Sequence, residues 1–393
     1  MKHKEHLDYD KVRVVTFLGL LFSLSVTLLV YVSSTYYQEA LGSENVGIFY
    51  FISSAALLFA LLNFHKVVSR FGRARTLLFF LLFQIALFFT LSFLPVSLFG
   101  AALLVAYSIA TGVIWALWDM VLEAYSVDSA SGRIRGMFLS VGSIGSLIGP
   151  LVSTTLLEKF GFLSIFTVVL VLYAMMFVVA LIMLNSIRGH LTPMNTSVFS
   201  TVRSVWRLAN VRNIYAVGCV LQFFFAMMTI FMPLYLRSLG ISWIEIGWIF
   251  AVMLIPYILF EYPAGVLADK KYGEKEILLT GCILIIIAVL CVIFVSSVHI
   301  GVWMAILFLS RTGAAFVESM HESYFYKQVD SRDISLINFF RSTRSIGYIV
   351  AAALSSITLF FGDLKIVFSV LLVVLFLGLY PVLTLRDTRP ERS

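Results

Sequence analysis

Two short charged stretches, one in each half of the chain, decide how the rest of the sequence is interpreted. Residues 265–275 read GVLADKKYGEK, and residues 65–75 read HKVVSRFGRAR. Each stretch ends a hydrophobic segment, carries several basic side chains and has a glycine shortly before the next hydrophobic segment. Because Gly72 and Gly273 lie 273 − 72 = 201 residues apart, the chain is predicted to contain two related halves.

The same spacing returns at other places along the chain. Thr111-Gly112 recurs as Thr312-Gly313, again 201 residues later, and Leu41-Gly42 recurs as Leu239-Gly240 after 198 residues. Chance could produce any one of these pairs. Together with the two charged stretches they indicate an internal duplication.

The composition is typical of a membrane protein. Hydrophobic residues make up 61% of the chain, charged residues 12%, and the mean hydropathy is +1.00, beyond the values of a water-soluble domain. Segments of about 20 apolar residues, long enough to cross a bilayer as a helix, recur along the whole length. The sequence therefore predicts an all-α integral membrane protein of twelve transmembrane helices. The predicted segments are 13–34, 46–64, 75–94, 98–124, 136–156, 162–185, 213–236, 243–264, 277–296, 301–326, 335–359 and 364–385.

The basic residues predict the orientation in the membrane, because lysine and arginine concentrate in cytoplasmic loops. Of the 28 lysines and arginines, Lys159, Arg237 and Lys365 fall in odd-numbered loops, and Arg311 falls inside a segment. The other 24 lie in the even-numbered loops and the two tails. Both termini are therefore predicted to be cytoplasmic, in a membrane of the bacterial inner-membrane type. The basic balance, with a pI of about 9.2, is expected to attract the anionic inner leaflet rather than nucleic acid.

Several functional classes lack their sequence signatures. The chain has no G-x-x-x-x-G-K-[ST] loop for ATP, no H-E-x-x-H or G-x-S-x-G motif and no cluster of metal ligands. Cys219, Cys282 and Cys291 fall inside apolar segments and are interpreted as small hydrophobic side chains. The first apolar run is too long for a signal peptide and is expected to remain as a helix. The sequence thus predicts neither an enzyme nor a bound cofactor.

The stretch at 265–275 resembles the loop signature of the major facilitator superfamily, G-x-x-x-D-[RK]-x-G-[RK]-[RK], with one extra residue before the second glycine. In the first half, His65 and Ser69 replace the first Gly and the Asp of the signature. The resemblance implies two six-helix halves that rock about a solute site between them, near the middle of the bilayer. The residues that carry it are Gly265, Asp269 and Gly273 in the second half and Arg70, Gly72 and Arg73 in the first.

These loops are expected to act as cytoplasmic gates. Asp269 is predicted to face the start of the fifth segment, where Arg133, Arg135 and the helix N-terminus supply positive potential. The matching contact of the other half would place Ser69 against basic residues of the eleventh segment, with no charge to pair. The contact that closes the cytoplasmic side is therefore predicted to be stronger at Asp269 than at Ser69.

The domain boundaries follow from the repeat. Residues 1–185 form the predicted N-terminal half and 213–393 the predicted C-terminal half. Between them, 186–212 carry four arginines and no acidic residue. This stretch is predicted to be a cytoplasmic linker that lies on the membrane surface.

The fifth segment contains a second pattern of the superfamily. Gly136, Gly145, Gly149 and Pro150 fit G-x8-G-x3-G-P, which is associated with antiporters, but the closing pair of glycines is replaced. The pattern is interpreted as close helix packing at the interface between the halves, with a bend at the proline.

Charged residues inside a membrane segment are costly and are therefore candidates for function. Arg311 is the deepest, about 15 Å from the start of the tenth segment at a rise of about 1.5 Å per residue. Glu318 and Glu322 follow on the same helical face. Arg311 is predicted to bind an anion or to pair with an acid, and Glu318 is predicted to carry a proton, with a structural role as the equal alternative.

Further candidates lie in the segments that would border the same site. Asp119 and Glu123, in the fourth segment, are interpreted as charges at the cytoplasmic mouth that pair with nearby arginines, and a coupling role is the alternative. Tyr31 and Gln222, in the first and seventh segments, are predicted either to contact the solute or to hydrogen-bond neighbouring helices.

The sequence therefore predicts a secondary active transporter of a small solute. Protons are preferred to sodium as the coupling ion, because buried carboxylates can change their protonation state with their surroundings. Uniport is an open alternative, and so is direction: efflux of lipophilic compounds, or uptake or exchange of an organic anion. A membrane receptor or scaffold that keeps the fold without transport is the alternative from another class.

Overall fold

The computed structural model describes residues 9–125, 131–183, 208–268, 273–329 and 334–386. Across these ranges the chain forms fourteen α-helices and no β-strand, which confirms the predicted all-α class. The helices are α1 (Tyr9–Val30), α2 (Ser33–Leu41), α3 (Gly47–Phe71), α4 (Arg73–Leu91), α5 (Leu98–Tyr125), α6 (Ser131–Phe160), α7 (Phe162–Met183), α8 (Ala209–Ser238), α9 (Trp243–Leu267), α10 (Glu274–Phe294), α11 (Ile300–Gln328), α12 (Ile334–Arg341), α13 (Thr343–Thr358) and α14 (Leu364–Leu383).

Within the described ranges, eleven helical spans are long and apolar enough to cross a membrane. One of them, Val12–Leu41, joins α1 and α2 across a short turn at Tyr31 and Val32. The predicted segment 335–359 is divided between α12 and α13, so neither piece reaches the length of a span by itself. With this broken segment included, the twelve-segment membrane fold is confirmed.

The break in the eleventh segment falls at Ser342. Its backbone N–H donates to the carbonyl of Phe339, three residues back, at 2.9 Å, and its hydroxyl donates to the same carbonyl at 2.6 Å. The hydroxyl also lies 2.8 Å from Tyr215 Oη on α8. A three-residue bond winds the chain more tightly than an α-helix. The sequence is polar here, with RSTRS at 341–345, and the predicted segment 335–359 ran across this signal.

Contacts divide the chain into two units, 1–42 with 55–194 and 43–54 with 195–393. The expected halves were 1–185 and 213–393, so the first turns of α3 belong by contact to the unit that contains the second half. Most of the expected linker 186–212 lies outside the described residues, and α8 begins at Ala209.

In the first unit, α6 packs closely on α1. An added Cβ on Gly145 would lie 2.9 Å from the backbone of α1, and one on Gly149 would clash with Thr27. Thr27 Oγ1 donates to the carbonyl of Gly145 at 3.2 Å, and the hydroxyls of Ser23 and Ser146 are 2.9 Å apart. These glycines were expected at the interface between the halves, whereas the neighbours described here belong to the same unit.

The second unit is organised around α11, which packs against α8, α9 and α10. The backbones of α10 and α11 come close at two glycines, since an added Cβ on Gly281 would lie 2.7 Å from the carbonyl oxygen of Gly313. On its other side α8 packs against α13 and α14. This arrangement places the charged face of α11 beside α8 and α9.

Candidate functional site

Buried charge is confined to few positions. Among the Asp, Glu, Lys, Arg and His side chains that the structure describes, the buried ones are Glu274, Arg311 and His321. All three belong to the second unit, and two of them lie on α11. A charge inside a membrane-spanning helix is costly, so each of the three requires a partner or a function.

Arg311 lies in a notch between two aromatic rings of α8. Its side chain is 4% exposed, and its Cζ atom lies 5.4 Å from the ring centroid of Phe224 and 5.3 Å from that of Phe225. The two rings are 5.6 Å apart with an interplanar angle of 49°. Cation–π attraction from both rings offsets part of the cost of burying the guanidinium.

The polar edge of the same guanidinium includes one nitrogen that no described residue satisfies. Arg311 Nε is buried and has no hydrogen-bond partner in the part of the chain that the structure describes. Arg237, at the end of α8, provides the contrast. Its Cζ lies 5.4 Å from the ring of Trp243, and its Nη1 also donates to the carbonyl of Ile241 at 2.9 Å. Arg311 thus has the aromatic contact of a structural arginine without the accompanying acceptor.

Glu318 lies next to the notch and is half-buried. Its carboxylate interacts electrostatically with two acids, Glu261 and Glu322, and with two cations, Arg311 and Arg344. Neighbouring acids favour the neutral form of a carboxyl group and neighbouring arginines favour its ionised form. The protonation state of Glu318 is therefore sensitive to movement of any of these groups.

Glu261 was missed by the sequence interpretation. It lies on α9, is exposed at the helix surface, and interacts electrostatically with Glu322 as well as with Glu318. A signal was present, because Glu261 falls inside the predicted segment 243–264 and an ionisable residue there is as costly as one in the tenth segment.

Glu274, the second buried charge, is satisfied by structural partners. It is the first residue of α10 and forms an ion pair with Lys327 of α11. The hydroxyl of Ser323 donates to the same carboxylate at 3.3 Å. These contacts join α10 to the C-terminal end of α11.

His321, the third, is surrounded by apolar groups. Its ring stacks on Phe340 of α12 at 4.5 Å and 22°, and it closely approaches Gly218 of α8. Neither ring nitrogen has a hydrogen-bond partner among the described residues. The geometry is that of a packing side chain, and it joins α12 to α8 and α11.

The other predicted site residues lie in both units. Tyr31 is buried at the turn between α1 and α2. Gln222 is half-buried on α8, where an added Cβ on Gly347 of α13 would lie 2.6 Å from Gln222 Cβ. Glu322 is exposed on α11. The structure thus brings Glu318 within electrostatic range of both Arg311 and Glu322, while it places Tyr31 in the other unit.

Some predictions concern side chains that the structure does not describe. Asp119 and Glu123 lie on α5, and Arg135 and Gly136 lie on α6, but only their helical backbone is described. Asp269 lies outside the described residues. The proposed contact of Asp269 with Arg135 stays a prediction.

The two loops that were predicted to act as gates each contain a glycine of the same backbone conformation. Gly72 has φ 83° and ψ 157°, and Gly273 has φ 83° and ψ 164°. Each residue directly precedes a helix, α4 or α10. Arg70 lies over the ring of Phe71 at 5.6 Å, and an added Cβ on Gly265 would meet nothing within 4 Å. Side chains other than glycine rarely adopt this conformation, which explains why glycine occupies both positions.

Comparison with known proteins identifies the family. The family model of the Major Facilitator Superfamily matches residues 15–320 and 236–393. The chain therefore belongs to this superfamily, which confirms the predicted family. A search of curated protein sequences finds no match.

Solved structures with the same fold are membrane transporters of low sequence identity. An auto-inhibited POT family peptide transporter has a TM-score of 0.78 at 12% identity, over 97% of this chain and 99% of that one. A bacterial homologue of the iron transporter ferroportin, in an inward-facing state, has a TM-score of 0.74 at 12% identity, over 98% and 100%. The POT family transporter PepTSo has a TM-score of 0.74 at 13% identity, over 96% and 99%. At these identities the likeness shows the fold alone.

Proposed function

We propose that this membrane transporter moves a small solute by alternating access and that proton movement drives it. Membership of the superfamily supports transport. The observation that carries proton coupling is Glu318, a half-buried carboxylate inside a membrane-spanning helix whose neighbours are two acids and two arginines. A proton carrier must change its protonation state when the helices around it move, and this set of neighbours provides such a dependence.

The halves 1–185 and 213–393 would rock about the solute site, joined by the cytoplasmic linker 186–212. The charge asymmetry of the loops supports a cytoplasmic position for both termini, and the membrane would be a bacterial inner membrane. In this topology Glu318 and Glu322 lie between Arg311 and the cytoplasmic end of α11, so a proton leaving Glu318 toward the cytoplasm would pass Glu322.

Purified protein in vesicles loaded with a pH-sensitive dye tests this function. Solutes of varied chemistry are added outside at equal pH, and acidification of the vesicle interior reports a solute that enters together with protons. For any active solute, we expect Glu318→Gln to abolish acidification and gradient-driven accumulation while exchange of labelled for unlabelled solute continues, because exchange requires no net proton release.

Glu158→Gln, at the exposed end of α6, is the matched control and should behave as the wild type. Accumulation by Glu318→Gln at the wild-type level would overturn proton coupling through this residue. Binding of a solute without exchange of that solute in any vesicle preparation would instead support the receptor or scaffold.

A further inference from the structure

The aromatic notch fixes which part of the Arg311 guanidinium is available. Phe224 and Phe225 attract the cation through their ring faces, at 5.4 and 5.3 Å from Cζ. They offer no hydrogen-bond acceptor, whereas a buried N–H group normally has one. Nε is buried and has no partner among the described residues.

The buried charge of Glu274 provides a contrast, because it has partners within the protein. Glu274 is as buried as Arg311 but has a cation, Lys327, and a hydroxyl donor, Ser323, on the next helix. Leaving a buried charged donor unsatisfied costs more than pairing it. The Nε atom of Arg311 has no hydrogen-bond acceptor among the described residues, which indicates an acceptor that comes from outside the chain.

We infer that Arg311 binds the carboxylate of a small, singly charged organic anion, and that this anion is the class of solute the protein transports. The claim that the anion is transported rests on the proposed function, whereas the claim that Arg311 binds the anion does not. A planar guanidinium edge presents parallel N–H donors that match the two oxygens of a carboxylate. Such an anion satisfies the donors that the described protein groups leave open.

Two features limit the charge and the shape of the anion. Glu318 lies within electrostatic range of Arg311, so a second negative charge on the solute would be repelled by a carboxylate close to the first. The residues around the guanidinium on α8 are aromatic, with Phe224 buried and Phe225 half-buried. The remainder of the solute is therefore expected to be apolar or aromatic rather than a second charged group.

The test measures binding in detergent, where no transport is needed. The probes are three carboxylates with different bodies, benzoate, hexanoate and lactate, each compared with its own amide, and inorganic phosphate. Affinity is obtained from the rise of the thermal unfolding midpoint with probe concentration. We expect at least one carboxylate to bind, its amide to bind far more weakly, and phosphate to bind no better than the amide.

Three variants identify the group responsible. Arg311→Lys keeps the charge but loses the forked donors, and should lower the affinity for the carboxylate by about 10- to 100-fold. Arg237→Lys is the matched control, because this arginine also lies over an aromatic ring, and should retain wild-type affinity. Phe225→Leu removes one wall of the notch and should weaken binding by about two- to fivefold without changing the preference for carboxylate over amide.

The result that overturns the inference is equal binding of a carboxylate and its amide, wild-type affinity in Arg311→Lys, or no stabilisation by any of the three carboxylates. Stronger binding of phosphate than of the carboxylates would also overturn it. A protein that accumulates a neutral solute with protons but fails this test keeps the proposed function and loses the inference. A protein that binds benzoate through Arg311 but transports nothing keeps the inferred binding and loses the proposed function.

Discussion

The glycines that directly precede α4 and α10 have the same backbone conformation, but the residues that follow them carry opposite charges. Gly72 and Gly273 agree within a few degrees in φ and ψ, yet the next residue is Arg73 in the first half and Glu274 in the second. Arg73 Nη1 donates to the carbonyl of Met120 on α5 at 3.2 Å, whereas Glu274 pairs with Lys327 on α11. The two halves thus share the conformation of the glycine and differ in the contact that the next residue makes.

The same difference appears at the centre of the two halves. At the spacing of 201 residues, Arg311 of α11 corresponds to Ala110 of α5, since 311 − 110 = 201. Ala110 is a buried apolar residue, and Arg311 is a buried charge. The two halves therefore share a scaffold, while the buried charges among the described side chains are found in the second. This comparison is consistent with the proposal that the arginine that binds the solute lies on one half only.

The largest expected effect concerns the anchors of the two loops. Lys327→Met would leave the Glu274 carboxylate buried without its cation, and we expect the free energy of unfolding to fall by about 3 kcal/mol, at the low end for such pairs because Lys327 is 46% exposed. Arg73→Met removes one hydrogen bond to a carbonyl and should cost about 1 kcal/mol. Denaturant unfolding of both variants in the same detergent measures the difference.

A double variant, Glu274→Gln with Lys327→Met, is the control for this pair. Removing both charges should restore most of the stability that Lys327→Met loses, because the buried carboxylate is then absent. If Lys327→Met and Arg73→Met are equally destabilising, the buried ion pair is not the stronger anchor.

The glycines should respond alike, in contrast with the residues that follow them. Gly72→Ala and Gly273→Ala each force a side chain into a backbone region that is almost exclusive to glycine, and we expect each to cost about 2 kcal/mol. At Gly72 no atom lies within 4 Å of an added Cβ, so the cost there comes from the backbone alone. A difference of more than about 1 kcal/mol between the two variants would contradict the equivalence of the turns.

The physical basis of each feature decides how far the sequence could predict it. The membrane segments and the repeat follow from apolar length and glycine position, and both are local properties that a sequence displays. Arg311 was recognised because its charge is costly wherever it lies in a segment. The aromatic notch was not predicted, since Phe224 and Phe225 are unremarkable in a chain with 36 phenylalanines. Only the packing of α8 on α11 distinguishes them.

A smaller effect is expected where the turns at Gly42 and Gly240 continue into helices. Ser242 caps α9 through a reciprocal pair of bonds with Glu245, whose backbone N–H donates to Ser242 Oγ at 3.3 Å and whose carboxylate accepts from Ser242 N at 2.9 Å. Ser242→Ala should cost about 1 kcal/mol. In the first half, Ser43 Oγ accepts one exposed bond from Asn45 N at 3.2 Å.

Ser43→Ala is thus the matched control and should change the free energy of unfolding by at most about 0.5 kcal/mol. Thermal unfolding of the two alanine variants in one detergent provides the comparison. A larger loss for Ser43→Ala than for Ser242→Ala would show that the turn of the first half is the more dependent on its serine.

The smallest effect is expected for an exchange between corresponding residues of the two halves. His321 corresponds to Met120, since 321 − 120 = 201. His321→Met removes a buried ring whose nitrogens have no partner among the described residues and loses its stacking on Phe340. The two changes have opposite effects on stability, because burying unpaired polar atoms is unfavourable and aromatic stacking is favourable. We expect the unfolding free energy to change by less than about 1 kcal/mol and solute exchange in vesicles to remain. A folded His321→Met protein without exchange would show instead that the imidazole takes part in the transport cycle, and that the second half carries function at a position where the first carries only packing.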